Sequence, residues 1–412
     1  MTDQQSIPED SGDTQKNQNN QVVNADAISE KKKKNRVKSM GWFLFSLIVI
    51  SLLSALYWFF FIRGIEETDD AYVGGNQIMI SSQIPGSVAQ INVGDMDYVH
   101  EGDVLVILND KDRKLALVEA ENQLANVVRN IQKLRYTIKE LQAAKAMKEI
   151  VVTQTKSDYD RRLRLVKTQS VVQEVLDHTK DAYEEAKASL KVTTNQLDAT
   201  IALLGKASIS DDQVIEQPSV KEAIAGVRLA WINLQRTKIL SPANGYIAKR
   251  NAQVGETLGA GRPIMAVVPD NQMWVDANFK ETQLRDMRIG QKAKVVFDFY
   301  GDDLVFEGKV AGMEMGTGSA FSLLPPQNAT GNWIKIVQRV PVRITLDPEE
   351  MKKYPLRLGL SATVNINVTD TDGTNLRQTK RLKPLYTTNV LNYDESTLDQ
   401  RIQQIIQNNM GQ

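Results

Sequence analysis

The sequence predicts a membrane-anchored, elongated α+β chain: a single N-terminal transmembrane helix, an antiparallel β-barrel, a β-sandwich split in sequence and a long α-helical coiled-coil hairpin. Three observations predict it. An uncharged apolar run lies near the N-terminus, one short β pattern occurs twice, and heptads fill much of the interval between the two copies.

Residues 1–39 are dominated by Gln, Asn, Asp and Ser and end in a basic run, Lys31 to Lys34, Arg36 and Lys38. A segment so poor in apolar side chains cannot offset its ordering entropy, so it reads as a disordered tail. Residues 40–62 follow, 23 in number and without charge. At about 1.5 Å per residue they cover roughly 35 Å, enough for a hydrocarbon core of about 30 Å. Trp42 stands near one end and Tyr57 and Trp58 near the other, where amphipathic rings favour the interface. The basic run stays on the cytoplasmic side, so everything beyond Arg63 is exported. The run is too long, and begins too late, for a cleaved signal peptide. Beside a span, the lysines read as a topology signal and anionic-lipid contact rather than a nucleic-acid site.

The repeated pattern is Ile80-x-Ser82-x-x-x-Gly86-x-Val88-Ala89, then Val99-x-x-Gly102-x-x-Leu105. It returns as Ile239-x-Ser241-x-x-x-Gly245-x-Ile247-Ala248, then Leu258-x-x-Gly261-x-x-Ile264. Alternating apolar residues around Gly turns mark short half-buried strands. Neither copy can bury its apolar face alone, so residues 78–109 and 238–270 are expected to form one sandwich. The insertion between them, residues 110–237, must leave and return at one place, which predicts a hairpin. Leu117, Leu124, Ile131 and Ile138 form one heptad row, and Ala120, Val127, Leu134 and Leu141 the other. On the return, Leu176, Tyr183, Leu190, Leu197 and Leu204 repeat every seven, with Thr179, Ala186, Thr193 and Thr200 between them. These rows predict a two-helix seam with its tip near 161–172. Residues 205–218 read as a local bulge, and Ser219-x-x-Glu222 as a capping box restarting the helix.

Past the second copy, strands are expected at 273–279, 292–299, 306–313, 333–346 and 361–368, separated by turn signals such as Gly301-Asp302, Asp347-Pro348 and Gly359. They predict a barrel over residues 271–370, completed by the segment 63–77. The Gly-, Pro- and Asn-containing stretch 316–332 is a loop: either a binding loop or a plain connection. Its candidate binding residues are Gly316, Gly318, Phe321 and Asn328, with Trp333 at its end. Gly316-x-Gly318 lacks the strand–loop–helix context of a phosphate cradle. The tail 371–412 carries Leu398, Ile402, Ile405 and Ile406 on one helical face, expected to pack locally.

Composition removes several chemistries. The chain has 412 residues, with 50 basic and 50 acidic side chains, which argues against a nucleic-acid partner. There is no Cys, hence no disulfide, thiolate metal site or thiol nucleophile, and His100 and His178 are the only histidines. No acid–base pair or nucleophile stands out, so the chain reads as a non-enzyme without catalytic, metal or cofactor residues.

With these parts assembled, the chain resembles the HlyD/EmrA family of periplasmic membrane-fusion proteins, in its EmrA branch. The resemblance rests on Thr68-Asp-Asp-Ala-Tyr-Val73 followed by Gly75-Asn76; on Asn278-Phe-Lys-Glu-Thr-Gln-Leu284, Met287 and Gly290-Gln291; and on Ala329-Thr-Gly-Asn-Trp333, Val337-Gln-Arg-Val-Pro-Val-Arg343 and Leu358-Gly-Leu-Ser361. It implies that the two repeats form a lipoyl-like domain. The position of that fold's modifiable lysine is here the hairpin itself, so lipoate or biotin carriage is not expected, and Lys249 is a solvated strand residue. It further implies an adaptor joining an inner-membrane major-facilitator drug/proton antiporter to a TolC-like outer-membrane channel, with hydrophobic drugs as cargo. A ring of copies would be needed to enclose a conduit, so a homo-oligomer is expected. At the tip the family pattern Arg-x3-Leu-x6-Ser is met by Arg161 and Leu165, with Val172 in place of Ser. With Gln169 and Ser170 in the turn, these are the expected channel contacts. Coupling to an ATP-driven exporter of peptide or protein, and a purely structural envelope tether, stay open.

Overall fold

The computed structural model describes residues 40–54, 56, 64–167, 172–318, 320, 336–378 and 380–411. Residues 40–54 are helical. Among the described residues no helix is long and apolar enough to cross a membrane; the expected span, 40–62, lies partly outside them. The chain divides into two compact units, Met1–Gly74 with Trp274–Glu350 and Arg357–Thr379, and Gly75–Met273 with Met351–Leu356 and Lys380–Gln412.

The core of the first unit is a closed barrel. Its strands are β1 (Ile65–Gly75), β10 (Met273–Lys280), β11 (Lys292–Phe297), β12 (Val305–Met313), β13 (Arg339–Leu346) and β14 (Ser361–Asn367), in the order β1-β10-β13-β12-β11-β14. Along β10 to β12, alternate residues point inward and are buried, as a half-buried strand requires. Phe279, Phe297 and Phe306 fill the interior, the last two edge-to-face with centroids 4.8 Å apart. The segment before the first repeat closes the barrel, since β1 pairs with β14 from Ile65↔Asn367 to Tyr72↔Ser361. Strand β13 starts at Arg339; residues 336–338, expected within it, are not strand, and 333–335 lie outside the described residues. Asp347-Pro348, expected as a turn, opens a short helix, α5 (Pro348–Lys353), because Pro at the first helical position lacks only an N–H that would be unpaired anyway.

In the second unit, the two repeats interleave. The first supplies β2 (Ile78–Ser81), β3 (Gly86–Ile91), β4 (Tyr98–Val99) and β5 (Val104–Leu108); the second supplies β6 (Lys238–Leu240), β7 (Gly245–Arg250), β8 (Thr257–Leu258) and β9 (Pro263–Pro269). One sheet runs β2-β9-β7-β4 and the other β6-β5-β3-β8, so each draws two strands from each copy. Leu105, Leu108, Ile247, Leu258 and Ile264 share one core between them.

Between the copies rise α1 (Lys111–Lys167) and α2 (Gln173–Leu204), then α3 (Asp211–Ile215) and α4 (Pro218–Gln235). The 57 residues of α1 make a rod of about 85 Å. It leaves from β5 and returns into β6, and these two strands pair, Val106↔Ile239. On α2 Leu176, Ala186, Thr193 and Leu197 are buried along the heptad rows.

Three readings need correction. Residues 205–218 are not a plain bulge. Gly205 ends α2 in the left-handed region, Ser210 and Gln213 cap α3, and Ile209 and Val214 are buried. Helix α4 does not start from Ser219: Pro218 takes its first position after Gln217, which pre-empts that box. The C-terminal helix α6 (Ser396–Asn409) does not pack locally. It lies on α1 and α4, burying Leu398, Ile402 and Ile406 with Leu124, Val128, Val220 and Val227. A second helical layer therefore exists at the hairpin root, and Ala125, Val128 and Gln132 are buried beside the two-helix seam. A heptad shows that a seam exists, not how many helices share it.

Candidate functional site at the hairpin tip

Toward the tip, Tyr159 of α1 stacks on Tyr183 of α2, with ring centroids 6.1 Å apart and planes 8° from parallel. Arg161 lies on the outer side of α1 and pairs with Asp158 one turn back at 3.0 Å. Both side chains are well exposed, so this ion pair is weak and the guanidinium can be redirected at little cost. Leu165 is half-buried near the end of α1. Val172 takes the N-cap position of α2 with extended backbone, is 69% exposed and gives the helix no side-chain cap. Gln169 and Ser170 lie outside the described residues. The structure thus brings Arg161, Leu165 and Val172 to one end of the hairpin.

Of the barrel-loop candidates, Gly316 and Gly318 follow the end of β12, and Ala320 N–H donates to the Thr317 carbonyl at 2.9 Å. Phe321, Asn328 and Trp333 lie outside the described residues. Gly318 does not take positive φ.

The sequence blocks at the barrel converge on one seam. The Thr68 hydroxyl donates to the Asn278 carbonyl at 2.9 Å, and the Asn278 amide donates to Asp70 at 3.1 Å. Arg339 reaches both Asp70, at 3.2 Å, and the Asn278 carbonyl, at 3.1 Å. Gln283 donates to Glu66 and to the Glu67 carbonyl. These contacts join the neighbouring strands β1, β10 and β13, so the polar residues of three separated blocks serve barrel closure.

Sequence reasoning missed the hairpin root. Arg228 of α4 bonds both Glu395 and Asp399 at 2.6 Å, and Arg401 of α6 grips both oxygens of Glu121 at 3.2 and 3.1 Å. The hydrogen bonds to Glu121, and then its charge, raise the Arg401 pKa above the ordinary guanidinium value. Trp231 meets Tyr393 edge-on at 6.1 Å. The available signal was the apolar stripe of α6, which says that a face is buried but not against what.

Comparison with known proteins agrees with this architecture. Residues 111–237 match the family model described as the EMRA alpha-helical hairpin domain, and residues 272–367 the AAEA-like beta-barrel domain. The chain is 49% identical over 386 residues to the multidrug export protein EmrA of Haemophilus influenzae, covering 94% of this chain and 98% of that one. It is 45% identical to the protein of the same name in Escherichia coli K12, covering 86% and 90%. With the fatty acid resistance protein FarA of Neisseria gonorrhoeae it shares 45% identity, over 73% and 75%. Such identity across nearly whole chains, on this hairpin and this barrel, makes the chain a member of the EmrA branch of the HlyD/EmrA family of periplasmic membrane-fusion proteins.

Proposed function

We propose that the chain is a non-enzymatic periplasmic adaptor of a tripartite efflux pump. It links an inner-membrane major-facilitator drug/proton antiporter to a TolC-like outer-membrane channel. The observation that carries this reading is the hairpin. A rod of about 85 Å rooted on two paired strands spans distance and presents its tip to a partner. Relatives named for multidrug export and fatty acid resistance support hydrophobic or amphiphilic cargo. Residues 40–62 serve as a single-pass inner-membrane anchor with the N-terminus in the cytoplasm. In the helical stretch 40–54, Trp42, Phe43, Phe45, Ile48 and Leu52 are all more than 60% exposed, a surface that lipid would cover. Several copies form a ring around the conduit. Arg161, Leu165, Gln169, Ser170 and Val172 meet the channel, and the loop from Gly316 through Phe321 and Asn328 to Trp333 faces the transporter or its cargo.

The test is cross-linking in cells from Gln169→Cys and Ser170→Cys, read by mass spectrometry. The sequence has no native Cys, so each label is unique. Adducts with an outer-membrane channel are expected. Adducts only between copies, or none despite normal export, would replace this reading with the tether.

A further inference from the structure

The outer face of the barrel is charge-sorted by row. Cross-strand pairing aligns Ile65, Asn367, Lys292, Lys309 and Thr345 in one row, where the Lys292–Asn367 step extends the Ala293↔Ile366 register by one residue. The next row, one outward position away from Gly64, runs Glu67, Asn365, Lys294 and Glu307. Asp347 continues it by donating its amide to the Glu307 carbonyl. The charged members of the row that begins beside Gly64 are therefore both cations, whereas the row behind it holds Glu67, Glu307 and Asp347 with the single cation Lys294.

Lys292 and Lys309 stand directly opposite each other on β11 and β12, and both are exposed. Like charges in that relation repel and weaken the strand pair. Neither lysine has an ion pair among the described residues. Arg288, in the turn before β11, donates its guanidinium to the Arg285 and Met287 carbonyls and adds a third cation, without an ion pair among the described residues. Lys292 is two strands from Ile65, about 10 Å across the sheet. Ile65 in turn lies three residues beyond the end of the proposed span at 62.

We propose that Lys292 and Lys309, supported by Arg288, bind anionic phospholipid headgroups of the membrane that holds the anchor. This inference rests on the reading of residues 40–62 as a span. A lysine stem can lay its charge on a headgroup phosphate while the barrel stays in water. The contact neutralises the repelling pair and seats the barrel against the bilayer, and the acidic second row limits how deep it sits.

The experiment uses the full chain in nanodiscs of phosphatidylcholine, with or without phosphatidylglycerol. Lysines are labelled with an amine-reactive ester and the rates read by mass spectrometry, with Lys187 on the hairpin as reference. Lys292 and Lys309 are expected to label about fivefold more slowly in the anionic discs. The difference should vanish at about 1 M salt, where the Debye length falls to about 3 Å. Equal rates in the two discs would overturn the proposal, as would equal protection by inorganic phosphate in phosphatidylcholine discs, which would mark a plain anion site. Co-elution of the chain with the disc reports the anchor separately. A chain that fails to co-elute overturns the span, whereas one that co-elutes with unprotected lysines overturns only the headgroup contact.

Discussion

The amide of Gly261 donates to the carbonyl of Ser82 at 2.8 Å, joining the second copy of the repeat to the first. The same bond exists in reverse, from the Gly102 amide to the Ser241 carbonyl at 2.8 Å. Each serine is fully buried and turns its hydroxyl to a carbonyl two residues on, Ile84 for Ser82 and Ala243 for Ser241. Both glycines need positive φ, at 79° and 93°. The identical offsets in the sequence thus record one exchanged structural unit used twice. Ser82→Ala and Ser241→Ala should each cost about 1–2 kcal/mol, because each takes the hydroxyl donor from a carbonyl, buried at Ile84 and part-buried at Ala243. Urea unfolding of the full chain in detergent, followed by tryptophan fluorescence, measures both. A large loss for one and none for the other would show that the copies are not interchangeable.

The C-terminal helix should behave as part of the hairpin root. Ile402 is 5% exposed between α1 and α4, so Ile402→Ala should cost about 2–5 kcal/mol. Arg228→Ala removes two ion pairs, yet its partners are partly solvated, and about 1 kcal/mol or less is expected. Hydrogen exchange on the two variants separates the effects. Ile402→Ala should speed exchange in α4 and the first half of α1, while the tip-side half of α2 stays unchanged. Faster exchange throughout α2 would mean that the hairpin unfolds as a single unit.

Why the sequence showed some of this and not the rest follows from range. The heptads at Leu117–Leu141, the repeated Ser and Gly, and the alternation in β10 to β12 are local patterns, so periodicity exposes them. The bond from Arg401 to Glu121 joins residues 280 apart, and no period connects them. The same holds for Thr68, Asp70, Asn278 and Arg339, whose blocks are recognisable singly but whose shared seam exists only once the barrel closes. The Lys292–Lys309 opposition was hidden for a related reason: it depends on strand register, which turn lengths and pairing set. At Ser219, local reading selected the wrong start, since Pro218 outranks a box that begins one residue later.

Val172 offers a direct test of the tip. An N-cap valine cannot accept from the free amides of the first turn, whereas serine can, and the backbone here already has the extended conformation a cap needs. Val172→Ser should therefore stabilise the start of α2 by about 0.5–2 kcal/mol. Slower hydrogen exchange over residues 173–178 is the expected result. If channel cross-linking rises in parallel, the hydroxyl contributes to docking. A rise in protection with unchanged cross-linking would confine its role to the helix.

Tyr98 gives the pH dependence. Its hydroxyl donates to Asp270 at 2.9 Å, and its ring meets Tyr246 edge-on at 5.0 Å. Burial first, then the hydrogen bond to Asp270 and that carboxylate's charge, push the Tyr98 phenol above its ordinary range. The folded chain thus holds this proton to higher pH than the unfolded chain does. The stabilisation is complete below the ordinary phenol value of about 10 and is lost as pH rises through the folded value. Tyr98→Phe cannot titrate, so its melting temperature should fall less steeply above pH about 10 than that of the parent. An ultraviolet titration should show one late-ionising tyrosine fewer in the variant. Parallel melting profiles for the two chains would mean that Asp270 does not hold the Tyr98 proton.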